Sequence, residues 1–341
     1  MQQRAHEREL LLHASGEATR QPSSERRHPR HVEQLWKHQA ALLAGDAEKI
    51  GVEIYPEPDA PANRYPGVGF SGLGLLTNHP FNIAYKAAVE FTDLLSKRTH
   101  AAGFMKTLLL QRICSSFVSG KSTADRMLRK EIFDDEEQME QVSDVLNALT
   151  SEEAKFLRTI VAELSRPEAR DPKFTAVLYF LTEHRTEQKT WLEHGCIIFS
   201  QYYDTVYALG TELAKVLRGE PVGVYAGAGK SGIFRNCDFA SVEREEIKSA
   251  VKKREIRLIV ATDAACEGLN LQTLGTLINV DLPWNPFRLE QRLGRIKRFG
   301  QARRNVDMLN LVYHDTQDER IYQVLSRRMK DKFDIFGGLP D

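Results

Sequence analysis

Between residues 196 and 313 short apolar runs recur, and helical spacing follows most of them. Cys196-Ile-Ile-Phe-Ser200 precedes a stripe at Val206, Leu209, Leu213, Val216 and Leu217. Val222-Gly-Val-Tyr225 leads into a Gly-rich loop and, later, a charged helix over residues 242–253. Arg257-Leu-Ile-Val-Ala-Thr262, Leu274-Gly-Thr-Leu-Ile-Asn-Val280 and Val306-Asp-Met-Leu-Asn-Leu-Val-Tyr313 complete the series, and a last helix is expected from about Asp315. An apolar run without alternation suits a strand buried on both faces. Strands alternating with helices build a parallel sheet. The fold class is therefore α/β. Ligands of such a sheet bind beyond the C-terminal ends of its strands, so function is expected in the loops after Ser200, Tyr225, Thr262 and Val280.

The preceding part of the chain reads differently. Residues 81–183 carry apolar side chains at spacings of three and four, among them Ile83, Ala87, Phe91, Leu108, Leu109, Ile113, Leu146, Phe156 and Ile160. Such stripes belong to packed helices. A break at Arg166-Pro-Glu-Ala-Arg-Asp-Pro172 ends this run, and Pro172 suits the first turn of a new helix. Residues 51–80 carry many prolines and glycines, eight of them from Pro56 to Gly74, and are expected to be irregular; a short helix is expected over residues 31–44. Three segments result: 1–80, loop-rich; 81–170, mostly α-helical; 171–341, α/β.

Composition narrows the field by exclusion. Lys+Arg and Asp+Glu both number 47, so overall charge selects no partner. Four dispersed cysteines, without a C-x-x-C pair, argue against a zinc site or a disulfide scaffold and fit the reducing cytoplasm. No apolar run approaches the roughly 18 residues of a membrane span, and the first residues lack a signal-peptide core. No metal site and no membrane partner are expected.

The most charged motif is Gln291-Arg-Leu-Gly-Arg-Ile-Lys-Arg-Phe-Gly-Gln301, with Arg292, Arg295 and Arg298 three apart. That spacing brings them to adjoining positions of a helix, and arginine forks suit phosphate; the alternative is a solvated basic face. Thr262-Asp-Ala-Ala-Cys-Glu-Gly-Leu-Asn-Leu-Gln272 follows a buried strand with short side chains and a glycine. It suits either an anion-facing backbone or an ordinary turn. Asp281-Leu-Pro-Trp-Asn-Pro286 stiffens the entry to the arginine helix. Residues 225–231 imitate a P-loop, but Val224 stands where its first glycine belongs, so a surface loop, followed by further polar loop over residues 232–240, is expected.

Taken together, Ile197-Ile-Phe-Ser-Gln-Tyr202, residues 259–272 and residues 281–301 resemble motifs IV, V and VI of the second RecA-like domain of superfamily-two helicases. Within that superfamily they look like a bacterial branch of the Swi/Snf-type ATPases. The resemblance covers about residues 171–335, and the helical segment before it is similar to the connecting region of that branch. It implies a RecA-like parallel sheet flanked by helices and preceded by a mostly α-helical region. Arg295 and Arg298 then match catalytic arginine fingers, and Gln291, Arg292, Glu267, Gly268 and Asn270 match nucleotide-facing positions. Ser200, Gln201, Thr262 and Asp263 match the nucleic-acid track. Lys297 stands where many relatives carry an acidic or other polar residue.

The resemblance also implies ATP with Mg²⁺ as the cofactor and double-stranded DNA or another nucleic acid as a partner. Neither a complete P-loop nor a strand-end acidic pair precedes residue 171. Both are expected in an N-terminal RecA-like motor domain, either missing or a separate chain. The second reading is a non-catalytic RecA-like module that binds nucleic acid or a partner motor protein.

Overall fold

The computed structural model describes residues 52–55, 68–131, 139–167, 169–227, 229–266, 271–296, 301, 303 and 306–325. The expected helix over residues 31–44 lies outside these. The chain divides into a helical unit, residues 77–171, and an α/β unit made of the remaining chain on both sides of it.

The helical unit holds α1 (His79–Ser96), α2 (Ala102–Ser115), α3 (Phe117–Arg129), α4 (Met139–Asn147) and α5 (Ser151–Glu163). Local chemistry sets the helix starts. Asn78 caps α1 by accepting from the Phe81 amide, and Pro80 occupies its first turn. Thr150 and Glu153 form a capping box on α5. Glu153 is itself buried and receives both Nε and Nη2 of Arg98 at 2.8 Å. Phe81, Phe91, Leu95, Met105, Leu109, Ile113, Met127, Leu157 and Ile160 form the apolar interior. Gly120 lets α3 approach α2, since a Cβ there would meet Ile113 at 2.8 Å.

The α/β unit contains one nine-stranded sheet and a small hairpin. Its elements after the helical unit begin with α6 (Pro172–Thr182), the hairpin β3–β4 (Arg185–Thr186, Lys189–Thr190) and α7 (Trp191–His194). Next come β5 (Cys196–Phe199), α8 (Tyr203–Val216), β6 (Val222–Tyr225), β7 (Gly232–Arg235), β8 (Asp238–Ser241) and α9 (Arg244–Lys252). Then follow β9 (Leu258–Ala261), a 3₁₀ turn (Asp263–Cys266), β10 (Thr276–Asn279), α10 (Pro286–Ile296) and β11 (Val306–Tyr313); residues 317–325 are helical. β5, β6, β9 and β10 are buried at every position, as their unbroken apolar runs require.

With β1 (Val52–Tyr55) and β2 (Val68–Leu75) added, the sheet order is β1-β2-β11-β10-β5-β9-β6-β7-β8. The pairs from β2 through to β6 are parallel, and the three outer pairings, β1–β2, β6–β7 and β7–β8, are antiparallel. This is the expected RecA-like arrangement of a mainly parallel sheet with helices. Two local expectations are corrected. Residues 51–80 contain β1 (Val52–Tyr55) and β2 (Val68–Leu75), and β2 runs in register with the whole of β11. Residues 232–240 are a β-hairpin, not a loop. Asn236 and Cys237 turn it with φ of 49° and 73°, the paired positive values that a tight two-residue hairpin needs.

Candidate functional site

The C-terminal ends of β5, β9 and β10 lie side by side, and their ladder runs on into the loops. Ser200 donates its amide to Ala261, Thr262 to Tyr225, and Val280 to Phe199. The segments singled out by sequence are thus brought to one edge of the sheet, where its strand order reverses around β5.

Arg292 organises this edge from below. Its side chain has 0% exposure and lies over the Phe199 ring, 5.2 Å from the centroid. Nε donates to Asp263 Oδ1 at 2.6 Å. Nη1 donates to Asn279 Oδ1 and to the Asp281 carbonyl, both at 2.9 Å. Asn279 in turn donates to Asn310 on β11 at 2.8 Å. Burial alone works against the charge, but Asp263, by charge and hydrogen bond, and Asp281 hold the guanidinium above its ordinary pKa. Arg292 therefore remains a cation in the interior, tying the loop after β9 to α10 and to two strands.

Asp281 forms the second node. It accepts from the Ser200 hydroxyl at 2.5 Å and from the Gln201 amide at 2.8 Å, and the Gln201 side chain donates to the Leu282 carbonyl at 3.2 Å. The loop after β5 is thereby clamped to the loop after β10. Both carboxylates are engaged within the chain, Asp263 through Oδ1 by Arg292 and Asp281 by Ser200 and Gln201.

Two of the residues named from the sequence are buried by these contacts. The Arg292 guanidinium is turned inward, and no part of it reaches the surface. Ser200, also at 0% exposure, has its hydroxyl turned to Asp281. The arginine triplet is not one outward face. Successive arginines three apart step by about 60° around a helix, and Arg292 falls among Leu289, Leu293 and Ile296, which are all buried. Arg295 is half-buried on the next step, and Gln291, Gln201, Thr262 and Asp263 keep partial exposure. Arg298, Lys297, Glu267, Gly268 and Asn270 lie outside the described residues.

Three residues that sequence reasoning did not assign also support the edge. Lys173, at the start of α6, has 1% exposure and donates to the Val280 carbonyl and to Asp318, each at 2.5 Å, with its ammonium 4.6 Å from the Tyr313 ring centroid. Burial pushes Asp318 up to about 6 against the opposing pull of Lys173. Cys266, behind the 3₁₀ turn, is pushed up to about 11 by burial and by Asp263, so at neutral pH it is a thiol and no nucleophile. Among the described residues, His314, Asp315 and Glu319 bring ligand atoms within 4.8 Å of one another, with Asp315 exposed and the Asp315 amide donating to Glu319.

Residues 173–300 match the family described as the helicase conserved C-terminal domain. This segment of the chain is similar to helicase C-terminal domains. Some of the proteins it is similar to are named ATP-dependent helicases. Over 87 residues, the chain is 44% identical to the uncharacterized ATP-dependent helicase YqhH of Bacillus subtilis, covering 26% of this chain and 15% of that protein. Over 134 residues it is 29% identical to the RNA polymerase-associated protein RapA of Klebsiella pneumoniae, covering 39% of this chain and 12% of that protein. The chain thus spans a small part of the length of the curated relatives it matches. It aligns with the crystal structure of the C-terminal part of the Fun30 ATPase domain at 14% identity and a TM-score of 0.46, over 79% of this chain and 96% of that one. The buried network around Arg292 lies wholly inside the matched segment or, at Asn310, on the strand that follows it. No helix among the described residues is long and apolar enough to cross a membrane.

Proposed function

We propose that this chain supplies the C-terminal motor half of a Swi/Snf-type, ATP-dependent translocase acting on double-stranded DNA or another nucleic acid. The observation that carries the reading is the coupling of three loops at one sheet edge. Arg292 and Asp281 hold the segments after β5, β9 and β10 as one polar unit, and α10 leaves that unit with Arg295 half-buried beside it. Arg295 and Arg298 act as fingers on the γ-phosphate of ATP, whose Mg²⁺ and phosphate-cradling lysine come with another RecA-like domain. Gln291, Glu267, Gly268 and Asn270 line the nucleotide side, and Arg292 serves it indirectly by positioning α10. Gln201, Thr262 and the backbone of the Ser200 and Asp263 loops form the nucleic-acid side, where contacts fix affinity without reading sequence.

Arginine fingers contribute roughly 10³–10⁵ in rate by neutralising charge that develops in phosphoryl transfer. The test is hydrolysis measured on this chain combined with an N-terminal motor half. Nucleic-acid-stimulated turnover is expected with the wild-type chain and is expected to vanish with Arg298→Ala and with Arg295→Ala. Wild-type turnover in both variants would sink the assignment. Binding of nucleic acid that ignores ATP under every condition would favour the non-catalytic module.

A further inference from the structure

The segment that imitates a P-loop has a different use. We propose that Lys230, seated on the ring of Tyr203, takes a phosphate of the nucleic-acid backbone at the C-terminal edge of the sheet. This inference rests on the nucleic-acid reading above and adds a contact that the three motif loops do not contain.

Residues 226–231 join β6 to the antiparallel β7, so they emerge at the C-terminal end of β6. The neighbouring strand β9 ends there too, with the Thr262 amide donating to the Tyr225 carbonyl at 3.0 Å. The loop therefore shares its edge with Gln201 and Thr262. It is also braced. The Ser231 hydroxyl accepts from the Ala226 amide at 3.0 Å and donates to the Ala226 carbonyl at 2.9 Å. The Lys230 amide closes a turn onto Gly227 at 3.0 Å, and Arg244 donates to the Ala226 carbonyl at 3.0 Å while lying over the Tyr225 ring. Gly229, at φ +71°, has open space where a side chain would be, so a strand can come close to the backbone.

The ammonium of Lys230 stands 5.2 Å from the centroid of Tyr203, at the start of α8 two residues after Gln201. Among the described residues no carboxylate pairs with it. A ring beneath the ammonium restricts the lysine stem and attracts the charge weakly, which leaves its donors available to a stronger anion. Two sources of phosphate could meet this lysine, a nucleic-acid backbone and a free nucleotide. The topology favours the first. A nucleotide-cradling loop needs a helix N-terminus directly behind it, and here the chain continues into a strand.

The test is a salt titration of binding by the full chain to a short fluorescein-labelled DNA duplex, read by anisotropy between about 50 and 200 mM salt. Each phosphate contact contributes about 0.9 to the slope of log K against log salt. Lys230→Ala should make that slope shallower by about that amount and lower the affinity, without changing the unfolding midpoint. Lys230→Arg should keep the slope. Tyr203→Phe should behave as wild type, and Tyr203→Ala should weaken binding. An unchanged slope in Lys230→Ala, with wild-type binding intact, overturns this inference and leaves the proposed function standing. A wild-type chain that binds no duplex at the lowest salt overturns both. Loss of ATP binding in Lys230→Ala with duplex binding unaltered would assign the lysine to a nucleotide and overturn the backbone contact.

Discussion

The Arg292 guanidinium and the Asp263 carboxylate meet at 2.6 Å with the arginine fully buried. The loop after β9 and the arginine helix are therefore one mechanical piece, because neither can move without breaking a charged contact in the interior. A pair of this kind adds little net stability over an apolar pair of the same shape, since desolvation offsets much of the attraction. Removing one partner is another matter.

Asp263→Ala leaves the Arg292 charge buried with Asn279, the Asp281 carbonyl and a more distant Asp281 carboxylate. A loss of about 3 kcal/mol is expected, from the cost of breaking buried pairs. Arg292→Met, which removes the charge and keeps the bulk, should cost less than Asp263→Ala. Urea unfolding of both variants checks this, and a smaller loss in Asp263→Ala than in Arg292→Met would refute the buried-charge account.

Asp318 carries the clearest pH signature. Its carboxyl titrates at about 6 in the fold, above its ordinary value of 3.8, chiefly because it is buried. A raised carboxyl pKa means that the fold binds this proton more tightly than the unfolded chain does. Its contribution to stability is complete below about pH 3.8 and is lost as pH rises through about 6. The stability of the wild type relative to Asp318→Asn should therefore fall by about 2 kcal/mol between about pH 4 and pH 7. A difference that does not vary with pH would show that Lys173 holds the carboxylate ionised throughout.

The hairpin β7–β8 depends on Gly232. A Cβ there would lie 2.5 Å from the Ala240 carbonyl oxygen and closer still to the Phe239 ring. Gly232→Ala should destabilise the chain by about 1–3 kcal/mol through overpacking. Gly103, on α2, has open space around it, and Gly103→Ala should stabilise by up to about 1 kcal/mol through the ordinary helix preference. Matched thermal scans give the comparison, and equal shifts in both variants would remove the steric argument.

The central strands were legible because burial on both faces demands unbroken apolar runs, as in Cys196-Ile-Ile-Phe199 and Leu258-Ile-Val-Ala261. The edge strands were not. β2 reads Val-Gly-Phe-Ser-Gly-Leu-Gly-Leu, and its glycines carry the signature of a turn. The tip of β7–β8 is Asn-Cys, where the usual Asn-Gly would have announced a hairpin. The direction of Arg292 did leave a trace. Leu289, Arg292, Leu293 and Ile296 stand at i, i+3, i+4 and i+7, so the arginine occupies a core-facing place in an apolar stripe. Spacing among the arginines alone reported their adjacency and could not report which one turned inward. Asp281 and Asp318 were hidden because a carboxylate's partner is set by tertiary contact.

The pairing of β2 with β11 has a kinetic side. Val68 lies opposite Val306, on the other side of the entire helical unit. Strands β5 to β10 find one another across much shorter stretches of chain. Closing a long loop costs more conformational entropy before any contact is gained, and pairings distant in sequence slow folding. The outer strands β1 and β2 thus complete the sheet after its centre exists. On a ribosome, the sheet's first strands to be synthesised would be the last to find their place.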